Sequence, residues 1–339
     1  MTILVSGATG FMGSAITRHL LDAGYRVRAM GRSAERARSV LGRFEECRRA
    51  LGEGRLTFIS ADVTRPETLL PAVAGIEVIV QAAQFPGAPN EDPGKGYTYM
   101  NIDRNGTMNL LEAISDVYWA RTAGPGLVRF PSGSPRFVYL SGITVRVEAP
   151  DTWNRAKWQA EEAIRGSGLD WTIVRSSMAY GPGDAALNTI IRYSDFMPVM
   201  PLFGDGEEKV TPVFVEDVGR VFTLVVAAAN AADGATLPLG GPEVLTMNEI
   251  LRTALSVMRR RRPLLHVPKP VGHVQGAVMQ FLPGRPLTPM AVDFSSQGGV
   301  ADPEPLGKLF PDFQPMRLRD ALATYLPARR RGRLLVRRI

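Results

Sequence analysis

The sequence predicts an α/β fold: a doubly wound parallel sheet followed by a smaller C-terminal α/β lobe. Three observations carry that expectation. Through residue 175, short apolar runs alternate with stretches whose apolar residues recur at helical spacing. The runs are apolar throughout rather than at every second residue, as strands covered on both faces must be. A glycine-rich turn, Gly7-Ala8-Thr9-Gly10-Phe11-Met12-Gly13, joins the first run to the first helical stretch.

Taken in order, Ile3–Ser6 reads as a strand and Met12–Ala23 as a helix, with Met12, Ala15, Ile16 and Leu20 on one face. Arg26–Met30 is the second strand, Ala34–Leu41 a helix, Leu56–Ser60 a strand, and Glu67–Ala74 a helix closed by Gly75. Val78–Gln81, Asn101–Ile114, Phe137–Ser141, Asp151–Gly166 and Trp171–Arg175 continue the alternation. Two Pro- and Gly-rich loops interrupt it. Phe85–Gly96 follows a strand end, where open parallel sheets bind ligands, whereas Gly124–Pro135 reads as an insertion. Beyond residue 176 the rhythm gives way to irregular segments around the helical pieces Val218–Ala229, Thr246–Met258 and Leu318–Leu326. The expected organisation is a nucleotide domain over 1–175, a smaller lobe over 176–327 with some segments returning to the sheet, and a basic tail over 328–339.

The glycine turn is the strongest functional signal. Its G-x-x-G-x-x-G spacing follows a strand, opens a helix and precedes a second strand, the context of a Rossmann-type phosphate cradle. Gly7 permits the tight turn, Gly10 lets backbone approach a pyrophosphate, and Gly13 lets the helix pack closely. The helix start then offers unpaired N–H groups to the phosphates. Thr9, Phe11 and Met12 complete the cradle.

The second strand bears on which dinucleotide fits. It ends in Gly31-Arg32-Ser33 with no carboxylate to accept from a ribose 2′-hydroxyl. Arg32 offers a permanently charged fork for a 2′-phosphate and Ser33 a hydroxyl beside it, so NADP(H) is preferred and NAD(H) remains open, with Arg32 stacking on adenine. Asp62-Val63 fits adenine recognition or, equally, a cap for the next turn. Ala82, Ala83 and Gln84 lie where backbone passes the ribose, and Ser176, just past the strand Trp171–Arg175, is a further cofactor-binding candidate.

Composition excludes other classes. Cys47 is the single cysteine, so no internal disulfide forms, and a cytoplasmic location is expected. The three histidines are dispersed, so no metal site is expected. The opening residues read as a strand rather than a signal peptide, and no apolar run is long enough to span a bilayer. Six arginines of the tail supply most of the formal charge of +7, leaving a nearly neutral body that does not suit nucleic acid.

The turn, Asp62-Val63, Asn101-x-x-x-Asn105-Gly106-Thr107, Ala156-Lys157-x-x-x-Glu161, Tyr180-Gly181-Pro182-Gly183-Asp184 and Val213–Val218 together resemble the short-chain dehydrogenase/reductase superfamily, in its extended and atypical branches. The likeness covers residues 1–326 and is nearest to bacterial relatives of the nucleotide-binding accessory subunit of respiratory complex I. It implies a catalytic Tyr four residues before a Lys, with a Ser or Thr after the fifth strand. Lys157 is present, but Trp153 stands at the Tyr position, and indole has no accessible acid–base pKa. The usual serine falls on Gly142, flanked by Ser141 and Thr144.

Two functions follow as expectations: a low-activity, cofactor-binding structural or regulatory subunit, or an NADPH-dependent reductase or sugar epimerase/dehydratase with another proton donor. Lys157, Tyr97, Tyr99 and Tyr180 are candidates for that donor. The tail Ala328–Ile339 reads either as a solvated end or as a peripheral contact with anionic lipid. Val267–Leu282 carries an apolar stripe suited to lobe core, a membrane or a partner.

Overall fold

The computed structural model describes residues 1–86, 90–119, 133–149, 151–281, 287–289, 292–293 and 297–326. The tail 328–339 and most of the loop Gly124–Pro135 therefore lie outside the described residues.

Strand β1 (Thr2–Ser6) leads through the glycine turn into α1 (Phe11–Asp22), then β2 (Arg26–Gly31), α2 (Ala34–Leu41), α3 (Glu45–Gly52) and β3 (Leu56–Ser60). The predicted helix 67–74 is a 3₁₀ turn, Pro66–Thr68, followed by the short α4 (Leu70–Val73); Pro71 at its first turn leaves little room for a longer helix. β4 (Val78–Gln81) follows, and the predicted helix at 101–114 opens as a π stretch, Met100–Asn105, before α5 (Gly106–Ile114). Next come β5 (Arg136–Gly142), α6 (Thr152–Arg165), β6 (Trp171–Ser176), β7 (Ala179–Tyr180), α7 (Ala186–Tyr193), β8 (Met200–Phe203), β9 (Lys209–Val210), β10 (Val213–Phe214) and α8 (Val215–Ala228). The chain continues through β11 (Ala235–Leu239), β12 (Leu245–Thr246), α9 (Met247–Val257), β13 (Leu264–Val267), α10 (Lys269–Met279), α11 (Glu304–Leu309) and α12 (Leu318–Tyr325).

Seven strands form one parallel sheet in the order β11-β6-β5-β4-β1-β2-β3. The order reverses beside β1, which pairs with β2 on one side (Ile3↔Val27) and β4 on the other (Ile3↔Val78). That reversal opens a crevice at the carboxyl ends of β1 and β4. β11 comes from the C-terminal part of the chain and returns to the sheet edge, where Pro238 costs no ladder bond to a further strand.

Both faces of the sheet are covered, as its continuous apolar strands require. On one face Ile3, Val5 and Val27 pack with Ile16 and Leu20 of α1 and Val218, Phe222 and Val225 of α8. On the other, Leu4, Ile79 and Tyr139 meet Leu110 of α5 and Ala156, Ala160 and Ile164 of α6. A third cluster around Tyr180, Ile191, Ile250 and Leu322 forms the core of the lobe. The lobe's α9 starts on a capping box, Thr246 and Glu249 bonding each other's backbone N–H. α8 presses so close to α1 that a Cβ on Gly219 would lie 2.8 Å from the Ala15 carbonyl oxygen. Arg18 and His19 of α1 hold Glu216 of α8 at 2.5 and 2.9 Å.

Candidate functional site

The end of β1 sets the site. Gly7 adopts φ +65°, and a Cβ there would lie 2.7 Å from the Ala83 backbone. A Cβ on Gly13 would lie 2.9 Å from the Gly7 carbonyl carbon and closer still to its oxygen. Both positions therefore exclude any larger residue. Gly10 caps α1 in an extended conformation with no side-chain bond, and the first amide to reach back is Ser14, to the Gly10 carbonyl. The N–H groups of Phe11, Met12 and Gly13 thus have no helical acceptor and point at the crevice.

Ser6 closes the other side. Its hydroxyl accepts from the Ala82 and Ala83 amides at 3.1 and 3.2 Å and donates to the Gln81 side chain, holding the exit of β4 against the glycine turn. The sequence reading missed this buried serine, although a polar residue at the end of an otherwise apolar strand was its visible sign.

A cleft of about 570 Å³ lies over this backbone. Gly7, Thr9, Gly10, Phe11, Met12, Gly13, Arg32, Asp62, Val63, Ala82, Ala83 and Gln84 all line it, together with Thr64, Arg65, Lys95 and Tyr97. Among the described residues its lining falls between Gly7 and Ile102, with none from the lobe. Arg32 reaches the Tyr97 hydroxyl at 3.3 Å, and Lys95 pairs with Asp92 at 3.2 Å. Asp62 accepts from the Thr64 amide and hydroxyl at 2.9 and 2.8 Å, the local turn that was the alternative to adenine recognition, while still facing the cleft. Among the described lining residues Arg32 and Arg65 are cationic, Lys95 is already paired with Asp92 and Asp62 is the one carboxylate, a balance that suits a ligand carrying phosphate.

Ser33, Ser141, Thr144, Lys157 and Ser176 lie outside this lining, and each has other work. The Ser33 hydroxyl caps α2 by accepting from the Arg36 amide at 3.1 Å. Ser141 turns away from the crevice and donates to Glu161 at 2.6 Å, a fully buried carboxylate also held by Arg165 and Arg175. Thr144 donates to Asn154 at 3.1 Å, and Ser176 to the Ser177 carbonyl at 2.9 Å.

Lys157 is fully buried, 3.0 Å from Asp103, 3.4 Å from the Tyr139 hydroxyl and 3.3 Å from the Leu140 carbonyl. Burial alone would favour the neutral amine, but Tyr139 and Asp103 outweigh it and raise the Lys157 pKa above the usual value. Burial also pushes the Tyr139 phenol up, so it is a poor acid. The ring of Trp153 lies over Gly142: a Cβ there would sit 2.8 Å from Cζ2 and closer to Cη2. Trp153 and Gly142 are thus packed against each other, and the indole occupies the space that a serine side chain at 142 would need.

The other candidate phenols divide. Tyr97 faces the cleft at its Arg32 end. Tyr99 is buried edge-on to Phe85 and Tyr180 is buried in the lobe core; burial pushes both pKa values up, and neither lines the cleft.

A parallel sheet reversing at β1, with bare backbone and free amides at the reversal, defines a dinucleotide-binding protein of the Rossmann class. Residues 7–190 match the model of the NAD(P)H-binding family, and the chain belongs to that family. It is 24% identical over 82% of its length to NADH dehydrogenase [ubiquinone] 1 alpha subcomplex subunit 9 of Arabidopsis thaliana, spanning 63% of that protein. It is 26% identical over 82% of its length to ceramide reductase of Caulobacter vibrioides, covering 77% of it. Among solved structures, UDP-glucuronic acid 4-epimerase from Bacillus cereus in complex with NAD superposes with a TM-score of 0.69 at 18% identity, over 95% of this chain and 94% of that one. These bear out the resemblance to the atypical, extended short-chain dehydrogenases/reductases, complex I subunit included.

Proposed function

We propose that this chain binds NADP(H) in preference to NAD(H) and serves as a low-turnover structural or regulatory subunit. The observation that carries it is the Trp153 ring seated over Gly142: it removes the phenol and the hydroxyl together while leaving the phosphate cradle open. Lys157, bound to Asp103 inside the protein, supports the same reading because its charge is already balanced. Arg32 at the cleft wall, with no carboxylate at the end of β2, supports the preference for a 2′-phosphate. The complex I subunit among the relatives suits a partner-bound role. A cytoplasmic setting fits the lone, buried Cys47, and the arginines of 328–339 suit peripheral contact at the inner face of a membrane.

When bound, the dinucleotide supplies a transferable hydride at its nicotinamide. This chain's residues would hold its diphosphate through the Phe11, Met12 and Gly13 amides, its adenine end between Asp62 and Arg32, and its ribose along Ala82 and Ala83.

A second function, reduction of a carbonyl or double bond, is favoured by the ceramide reductase relative. Titrating purified protein with NADPH and NADH, then assaying ketones and enones, separates the two. Tight NADPH binding without turnover is the expected result, and rapid NADPH oxidation would overturn it. Arg32→Ala is expected to weaken NADPH about tenfold and leave NADH unchanged; equal losses for both would end the 2′-phosphate assignment.

A further inference from the structure

We propose that the outer face of α10 is a docking surface for an anionic lipid bilayer. It extends the peripheral position suggested for the tail to a face of the folded lobe, and it does not depend on cofactor binding.

The helix is amphipathic the wrong way round for a monomer in water. Its two buried residues are Gly272 and Gly276, one turn apart. Gly272 sits against Phe203, where a Cβ would lie 2.6 Å from the ring, and Gly276 against the Pro289 nitrogen at the same distance. The helix therefore docks on the lobe through bare backbone. Its valines turn outward: Val271, Val274 and Val278 are 47%, 68% and 67% exposed, and Phe281, two residues past the end of the helix, is 84% exposed. Their spacing puts them on one face, and a helix packed for solubility alone would bury that face.

Charge identifies the occupant. From Ile250 to Val292 the sequence holds no Asp or Glu, yet it contains Arg252, Arg259, Arg260, Arg261, Arg262, Lys269 and Arg285. Arg260 is taken by Asp195, while Arg259 and Arg261 are exposed. Asp293, which ends that run, is held by His273 at 2.8 Å. A second copy docked face to face would add the same excess of basic over acidic residues that brackets α10 in sequence, with Arg259, Arg261 and Lys269 before or at the start of the stripe and Arg285 after it. An apolar stripe with basic flanks instead matches an interface of acyl chains beneath anionic headgroups, with the helix lying in the membrane plane.

The test is sedimentation of the full-length protein with vesicles of phosphatidylcholine alone or mixed with an equal part of phosphatidylglycerol. Wild type is expected to pellet with the mixed vesicles only. Val274→Ser/Val278→Ser, which changes no charge, should bind roughly tenfold more weakly, with its melting temperature and NADPH affinity unchanged because both side chains face solvent. Wild-type sedimentation by this variant would overturn the proposal. So would equal binding to the neutral vesicles, or a dimer that the variant converts to monomer. If replacing Arg329, Arg330 and Arg331 by Gln alone releases the protein while the valine variant stays bound, the α10 assignment fails and the tail's role survives.

Discussion

The ends of β1 and β5 lie in the same sheet with β4 between them, and both depend on glycine to opposite effect. At β1, the missing side chains of Gly7 and Gly13 let main chain pack directly on main chain, the Ala83 backbone and the Gly7 carbonyl standing where a Cβ would be, and the cleft lies over that bare backbone. At β5, the missing side chain of Gly142 leaves space that Trp153 fills. One absence makes a receptor and the other makes a plug. The open cleft over β1 and the packed interior beyond β5 can differ in this way because they are built from different strands.

Breaking the β1 side should have the largest effect. Gly13→Val has no room beside the Gly7 carbonyl, so the turn must open; dinucleotide binding by calorimetry is expected to vanish. Retained micromolar affinity would mean that the cradle is not where the ligand sits.

The β5 side should respond in stability instead. Lys157→Met strands the buried Asp103 carboxylate and is expected to cost about 3–5 kcal/mol in denaturant unfolding. Lys157→Met/Asp103→Leu should recover most of that. A single variant as stable as wild type would show that the pair is not closed to water.

Gly142→Ser should cost about 1–3 kcal/mol through overpacking against the indole. Gly142→Ser/Trp153→Tyr should relieve it. Additive losses in the double variant would refute the view that Gly142 and Trp153 are packed against each other.

The smallest effect lies where α8 grips α1. Burial raises the Glu216 pKa, but the bonds from His19 and Arg18 and the Arg18 charge outweigh it and bring the value to about 2. The folded value lies below the ordinary 4.5, so the stability it lends is complete above about pH 4.5 and is lost as pH falls towards 2. Glu216→Gln should flatten the acid limb of the melting curve by about 1 kcal/mol, allowing for the residue's partial exposure. An unchanged acid limb would place acid sensitivity elsewhere.

Most strands of the first 175 residues were legible as short, largely apolar runs between turn residues, and the cradle because glycine spacing records backbone geometry directly. α3 was missed: in Glu45–Gly52 only Cys47 and Ala50 are buried, too few to make a periodic stripe. β11 carries Pro238 and looked like loop; its place is fixed by pairing with the distant β6, which local pattern does not encode. Trp153 and Gly142 were visible as substitutions, but their contact was not, since it joins a strand end to a helix eleven residues on. Ser33 and Ser141 had suitable chemistry at suitable positions, yet a helix cap and a buried carboxylate were nearer at hand.

Among the described residues, those lining the cleft lie between Gly7 and Ile102, but the cover that α1 begins on one face of β1 is completed only by α8, Val215–Ala228, much later in the chain. A nascent chain therefore carries the lining groups of the cleft before the scaffold beneath them is complete. A dinucleotide that binds the folded form is expected to steady the finished molecule rather than the growing one.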